Sequence, residues 1–178
     1  MGTIATLTEC GRAAIAASIA AKSVFLGWGA GEEAWDNMGD ADLPSLLKRK
    51  ALFNEIGIRR ASVVGFCEPS ETGDIVVPIG TTADGTGVET ARYQQQAEPI
   101  PYLYIKAAFD FEDAANDVIR EIGIFLNTEP KPELPVGQMY FTPDQIAKPG
   151  DLLAIQIVRP KILRSPAVRQ ILELVLPI

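Results

Sequence analysis

The side chains that could do chemistry in this sequence are two groups of carboxylates, one run of glycines and a few aromatics. Asp36, Asp40 and Asp42 resemble a fragment of a calcium loop. Such a loop needs alternating oxygen ligands, a glycine at the sixth position and a glutamate at the twelfth; these do not line up, so a solvated acidic loop is expected. Asp110, Glu112, Asp113 and Asp117 form a second group around a predicted turn. Carboxyl groups facing each other across about 5–9 Å hydrolyse glycosidic bonds. The alternative is a charged hairpin tip. The run Gly27-Trp28-Gly29-Ala30-Gly31 invites a phosphate-loop reading. It lacks the Lys-Ser/Thr of a P-loop and the full dinucleotide glycine spacing, and Glu32 and Glu33 would repel phosphate. A tight loop ending a strand is expected there instead.

The sequence contains no histidine. Ser-His-Asp and Cys-His catalysis, histidine-ligated zinc and histidine-based pH switching are therefore excluded. Acid–base work by Asp, Glu, Lys or Tyr remains open. Cys10 and Cys67 are far apart and lack metal or redox spacing, which predicts two reduced thiols in a chain made in cytoplasm. No catalytic set, metal or cofactor is assigned. The 16 basic against 23 acidic residues give a net charge of −7 and a pI near 4.7. An acidic surface repels phosphate backbones, so nucleic-acid binding is not expected. With 178 residues and 47% apolar content the chain can bury a core without metal or disulfide, as a single domain over 1–178.

Trp28 and Trp35 flank the glycine run and are candidate interface anchors, since Trp is enriched in interfaces; one Trp in a core is the plainer alternative. Tyr93, Gln94, Gln95 and Gln96 form a polar, uncharged run that could pair with another chain at a sheet edge or form a loop tip.

Several elements must position these groups. The Ala-rich run 13–21 resembles a signal-peptide core, but its leader lacks a positive cluster, and Glu9 and Arg12 precede it. It is also too short and Ala-rich to span a bilayer, so a soluble helix reaching about Lys22 is predicted. Thr6 with Glu9 makes a capping-box pair, and Thr8 is an equally suitable N-cap. Val24–Leu26 reads as a buried strand. Pro44 and Ser45 open a predicted short second helix around Leu46, Leu47 and Ala51. Strands are predicted over 58–66, 74–79, 101–111, 118–126, 138–141, 151–162 and 168–176, the last with a helical alternative. Pro78 marks an edge strand. Residues 80–98 are predicted to form a long loop or arm, or a mobile hairpin tip, whose excision at 88–97 impairs assembly but not folding. Pro130, Pro132 and Pro135 stiffen a connection. Glu-Ile-Gly-Ile occurs at 55–58 and again at 121–124, read as chance or as similar strand chemistry rather than as a repeat. The expected class is α+β: a mainly antiparallel β-sandwich with a docked N-terminal helix and one further short helix.

The strand Ile119-Arg120-Glu121-Ile122-Gly123-Ile124-Phe125 resembles the Ile-Arg-Glu-Ile-Gly-Leu/Ile-Phe motif of phage tail-collar fibre proteins, in the N-terminal attachment domain of Mu-like and P2-like tail fibres. Thr8, Gly11, Ile15 and Ala16 match the family's opening helix, Gly27, Gly29 and Gly31 its glycine-containing strand end, and Leu52 and Glu55 its Leu-x-x-Glu segment. Members usually continue into a shaft and receptor-binding tip, whereas the residues up to Ile178 are expected to close the attachment domain; segments 80–98 and 129–135 look like insertions. The resemblance implies a non-enzymatic structural part of the virion tail, made in host cytoplasm. It would dock on baseplate or tail-fibre proteins and act as an oligomeric adaptor, with a trimer as the expected form. No membrane or nucleic-acid partner is implied. A carbohydrate-binding module using Trp28, Trp35 and the tyrosines is the alternative, followed by a carboxylate-dependent glycosidase.

Overall fold

The computed structural model describes residues 5–81 and 87–178. Antiparallel strands dominate, at 47% strand against 14% helix among the described residues, in keeping with the expected β-sandwich class with a short helix. Among the described residues the elements are a helix α1 (Glu9–Ala20) and twelve strands: β1 (Val24–Gly29), β2 (Glu55–Arg60), β3 (Val63–Pro69), β4 (Ile75–Thr81), β5 (Val88–Gln96), β6 (Tyr102–Phe109), β7 (Val118–Leu126), β8 (Glu129–Pro130), β9 (Tyr140–Phe141), β10 (Ile146–Lys148), β11 (Asp151–Leu163) and β12 (Gln170–Pro177).

The chain divides into two compact units. The first comprises residues 1–21, 62–106 and 173–178, and the second residues 22–61 and 107–172. The second unit holds a sheet in the order β11-β7-β1-β2-β9 and the small β10-β8 pair. Most of the sheet ordered β12-β6-β3-β5-β4 belongs to the first unit, though β6 and β12 each run across the division.

In the first unit, Thr8 caps α1: its hydroxyl accepts the Gly11 N–H at 3.2 Å. That leaves Thr6 outside the cap, because only a residue immediately before the first turn can reach these N–H groups. Ala16 and Ile19 are the buried residues of the helix. On β6 the odd positions Leu103 and Ile105 are fully buried, as the alternation predicts. Tyr104 is buried as well and donates its hydroxyl to Glu173 at 2.7 Å. β4 is an edge strand, as Pro78 suggested.

The expected arm is largely a strand. Residues 88–96 form β5, which pairs with β4 from Val88 to Tyr93 and with β3 from Tyr93 to Gln96. Residues 82–86 lie outside the described residues. Polar composition misled here, because a strand held by ladders needs few apolar side chains. Excising 88–97 removes paired backbone, so it is expected to cost folding as well as assembly, against the reading from sequence.

In the second unit, Phe25, Leu52, Ile58, Phe125 and Phe141 make a core cluster, with Leu134, Ile146, Leu152 and Ile155 packed on it. The predicted second helix is absent: residues 44–51 form no helix, with a single turn at Leu47 and Lys48. Leu47 is 91% exposed, so the segment has no apolar face to bury, and Arg49 hydrogen-bonds the Ala51 and Leu52 carbonyls instead. Short 3-10 turns appear at Glu33–Asn37, Asp40–Asp42 and Pro143–Gln145. The predicted strand 58–66 is two strands, β2 and β3. The last strand is β12, not a helix.

Candidate functional site

β1 is the centre of its sheet, and both its neighbours present the same tetrapeptide. Glu55 on β2 and Glu121 on β7 both stand opposite Gly29; Ile58 and Gly123 both stand opposite Gly27. The repeat is thus similar strand chemistry on the two flanks of one strand. The glycines of β1 make room rather than cradle phosphate. A Cβ on Gly27 would come within 2.6 Å of the Phe125 ring, and one on Gly29 would collide with the Glu121 side chain. The strand therefore runs through Gly29, further than the expected loop allowed. Only Gly31, at φ +57°, takes a left-handed turn.

Glu121 is fully buried, yet both carboxylate oxygens are satisfied. They accept the Phe53 N–H at 3.0 Å and the Asn54 N–H at 2.9 Å. Asn54 in turn donates its amide to the Gly31 carbonyl at 2.7 Å, and its own carbonyl accepts the Ala30 N–H at 2.8 Å. One carboxylate thereby fastens the 52–54 segment to the end of β1. Glu55 is different. Burial, with the nearby Glu121 charge, pushes its carboxyl above the usual range, and it makes no ion pair among the described residues.

Arg120, next along β7, grips Asp36 with a two-pronged contact at 2.9 Å per prong and reaches the Ala30 carbonyl at 3.2 Å. Lys161 adds a contact to Asp36 at 2.6 Å. These hydrogen bonds hold the Asp36 carboxyl well below the usual range and raise the Arg120 guanidinium. Asp40 pairs with Arg159 at 3.1 Å, and Arg159 also donates to the Trp35 carbonyl. Two of the three calcium-loop candidates are therefore counter-ions of basic side chains.

The second acidic group is tied down in the same way. Arg59 bridges Asp110, at 3.0 Å, and Asp113. Asp113 also accepts the Asp110 N–H at 2.7 Å. The Arg59 hydrogen bond keeps the Asp110 carboxyl below its usual range. Buried Arg164 donates to the carbonyls of Asp110 and Val168 at 2.7 and 2.8 Å, and to that of Asp113. Asp110 and Asp113 thus share one arginine across a turn.

Trp28 is fully buried and stacks on Phe109 at 3.6 Å between ring centroids, beneath the Arg164 guanidinium. Trp35 is buried edge-on to Phe53 at 4.9 Å and packs over Gly31. Both were expected as interface anchors. Both are core residues, because the apolar area of an indole is better buried beside available aromatic partners. The sugar-binding alternative loses these two platforms. In the first unit, Tyr93 is half-buried near Tyr102 at 6.3 Å, Gln96 donates to Glu68, and Gln94 and Gln95 are exposed on β5. The run belongs to β5: Tyr93 pairs with both β4 and β3, whereas Gln94, Gln95 and Gln96 pair with β3.

Sequence reasoning missed the structural use of Arg59, Arg120, Glu121 and Arg164. A signal was present: two adjacent charges amid the isoleucines of Ile119–Ile124 are costly unless each has a partner.

A search of curated proteins found no significant match. A family model described as "Baseplate wedge 3 tail fiber network component" matches residues 4–178. The match spans both units and agrees with the tail-fibre resemblance carried by the β7 motif. The chain belongs to this family of baseplate wedge tail-fibre network components.

Proposed function

We propose that the protein is a non-enzymatic adaptor. It self-associates, as a trimer, and joins baseplate to tail-fibre proteins in the virion after synthesis in the host cytoplasm. The family match over nearly the whole chain carries this reading.

Surface chemistry supports it. Cys10, Ala14, Ile15 and Ser18 lie exposed on α1, and Leu7 lies exposed just before it. The two charged side chains of the helix, Glu9 and Arg12, are exposed as well and line a hollow with Glu68, Pro101 and Tyr102. The exposed apolar side chains Leu7 and Ile15 suit contact with another chain. The exposed Gln94 and Gln95 provide hydrogen-bonding groups without charge in the same unit.

Size-exclusion chromatography with light scattering, followed by co-purification with baseplate and fibre proteins, tests the reading. A stable trimer retained on those proteins is expected. A monomer that binds neither contradicts it.

A further inference from the structure

The second unit contains a cavity of about 300 Å³ beside Glu55. This is at the small end for ligand sites, the size for one side chain rather than a large metabolite. Its walls include Ile58, Phe125, Ile146 and Pro149. Glu55 and Thr128 line it beside Lys50, and neither has a side-chain partner among the described residues. Glu55 makes no ion pair among the described residues. Thr128 is 5% exposed, and its buried hydroxyl has no hydrogen-bond partner among the described residues. A buried hydroxyl left unpaired is costly, on the order of 1–3 kcal/mol, so a group that pairs with it gains affinity.

The register sharpens the charge argument. Glu55 and Glu121 flank the same residue, Gly29, and the N–H groups of Phe53 and Asn54 are both taken by Glu121. Glu55 is left with a like charge nearby and no donor. An apolar sleeve lined by such a carboxyl and by a hydroxyl acceptor fits a long aliphatic stem ending in a cation.

We propose that this cavity receives an arginine or lysine side chain from a neighbouring tail protein, its stem along Ile58, Phe125 and Ile146 and its cationic head at Glu55 and Thr128. The identity of the neighbour rests on the adaptor reading above; the charge preference of the cavity does not. Lys50, which also lines the cavity and forms no ion pair among the described residues, is the competing cation from within the chain.

The test is a titration of the isotope-labelled full chain with Nα-acetyl-arginine methylamide, read from the backbone amide shifts of Ala51, Ile146 and Gly150. Nα-acetyl-glutamate methylamide and Nα-acetyl-norleucine methylamide are the acidic and neutral controls. The cationic probe is expected to shift these amides and bind about tenfold more tightly than either control. Glu55→Gln removes that preference, Thr128→Val weakens binding by about threefold, and Lys50→Met tightens it. Equal binding of all three probes, or a preference unchanged in Glu55→Gln, overturns the proposal. That outcome leaves the adaptor reading intact. A monomer absent from tail particles would sink the adaptor reading without touching the charge preference.

Discussion

The Glu-Ile-Gly-Ile of β2 and the Glu-Ile-Gly-Ile of β7 are the same four letters on the two flanks of β1, each with its glutamate opposite Gly29, yet the two glutamates lead opposite lives. Glu121 is the more deeply buried and the better satisfied, with two backbone N–H donors. Glu55 is half-buried, unpaired and turned toward a cavity. Burial alone does not decide the fate of a carboxylate; the supply of donors does. The 52–54 segment can satisfy one glutamate, and β7 has it. One copy of the motif therefore holds the fold together, while the other is left open to a group from outside.

The comparison breaks most visibly at Glu121. Glu121→Leu leaves the Phe53 and Asn54 N–H groups without their charged acceptor, and stability is expected to fall by about 3–5 kcal/mol, or enough to prevent folding, in urea denaturation. A change below about 1 kcal/mol would mean that the donors find water or another acceptor. Gly29→Ala attacks the same clasp from the other side, by placing a methyl against the Glu121 side chain. A loss of about 1–3 kcal/mol is expected, with the loop amides of Phe53 and Asn54 exchanging faster.

Glu55→Gln should do little at neutral pH, within about 1 kcal/mol and in the stabilising direction, because it removes an ionised group that burial disfavours. Its signature is in pH dependence. Glu55 has a raised value in the folded state, so its contribution to stability is full below the ordinary carboxylate pKa of 4.5 and is lost as pH rises through the raised value. Glu55→Gln flattens the profile in that window; an unchanged profile would contradict the assignment. Asp36 behaves with the opposite sign. Its value is lowered by Arg120 and Lys161, so its contribution is present above the ordinary pKa of 3.8 and fades as pH falls below it. Asp36→Asn removes that acid-limb fade, the smallest of the expected effects because the pair is near solvent.

Much of this was legible from local pattern. The span 118–126 of β7, the edge position of β4 and the buried odd positions of β6 follow from alternation and from Pro78, which act within one strand. What escaped depends on partners distant in sequence. Glu121 takes its donors from residues 67 and 68 positions away, and Trp35 takes its aromatic partner from a different segment. The glycines of β1 carried an ambiguous signal, because a glycine that admits a phosphate and one that admits Phe125 or Glu121 look alike in one dimension. The Gln run shows the same limit: its strand state is set by the ladder to β3, not by its composition. The motif Ile119–Phe125 pointed to the family, while the roles of its arginine and glutamate emerged only once their partners were in place.

The most direct test of the account is a density map of intact tail particles at side-chain resolution. It is predicted to show three copies of this chain joining baseplate to fibre proteins, with a basic side chain of a neighbour seated beside Glu55. A particle that lacks the chain, or holds it as a single copy touching neither baseplate nor fibre, would contradict the account.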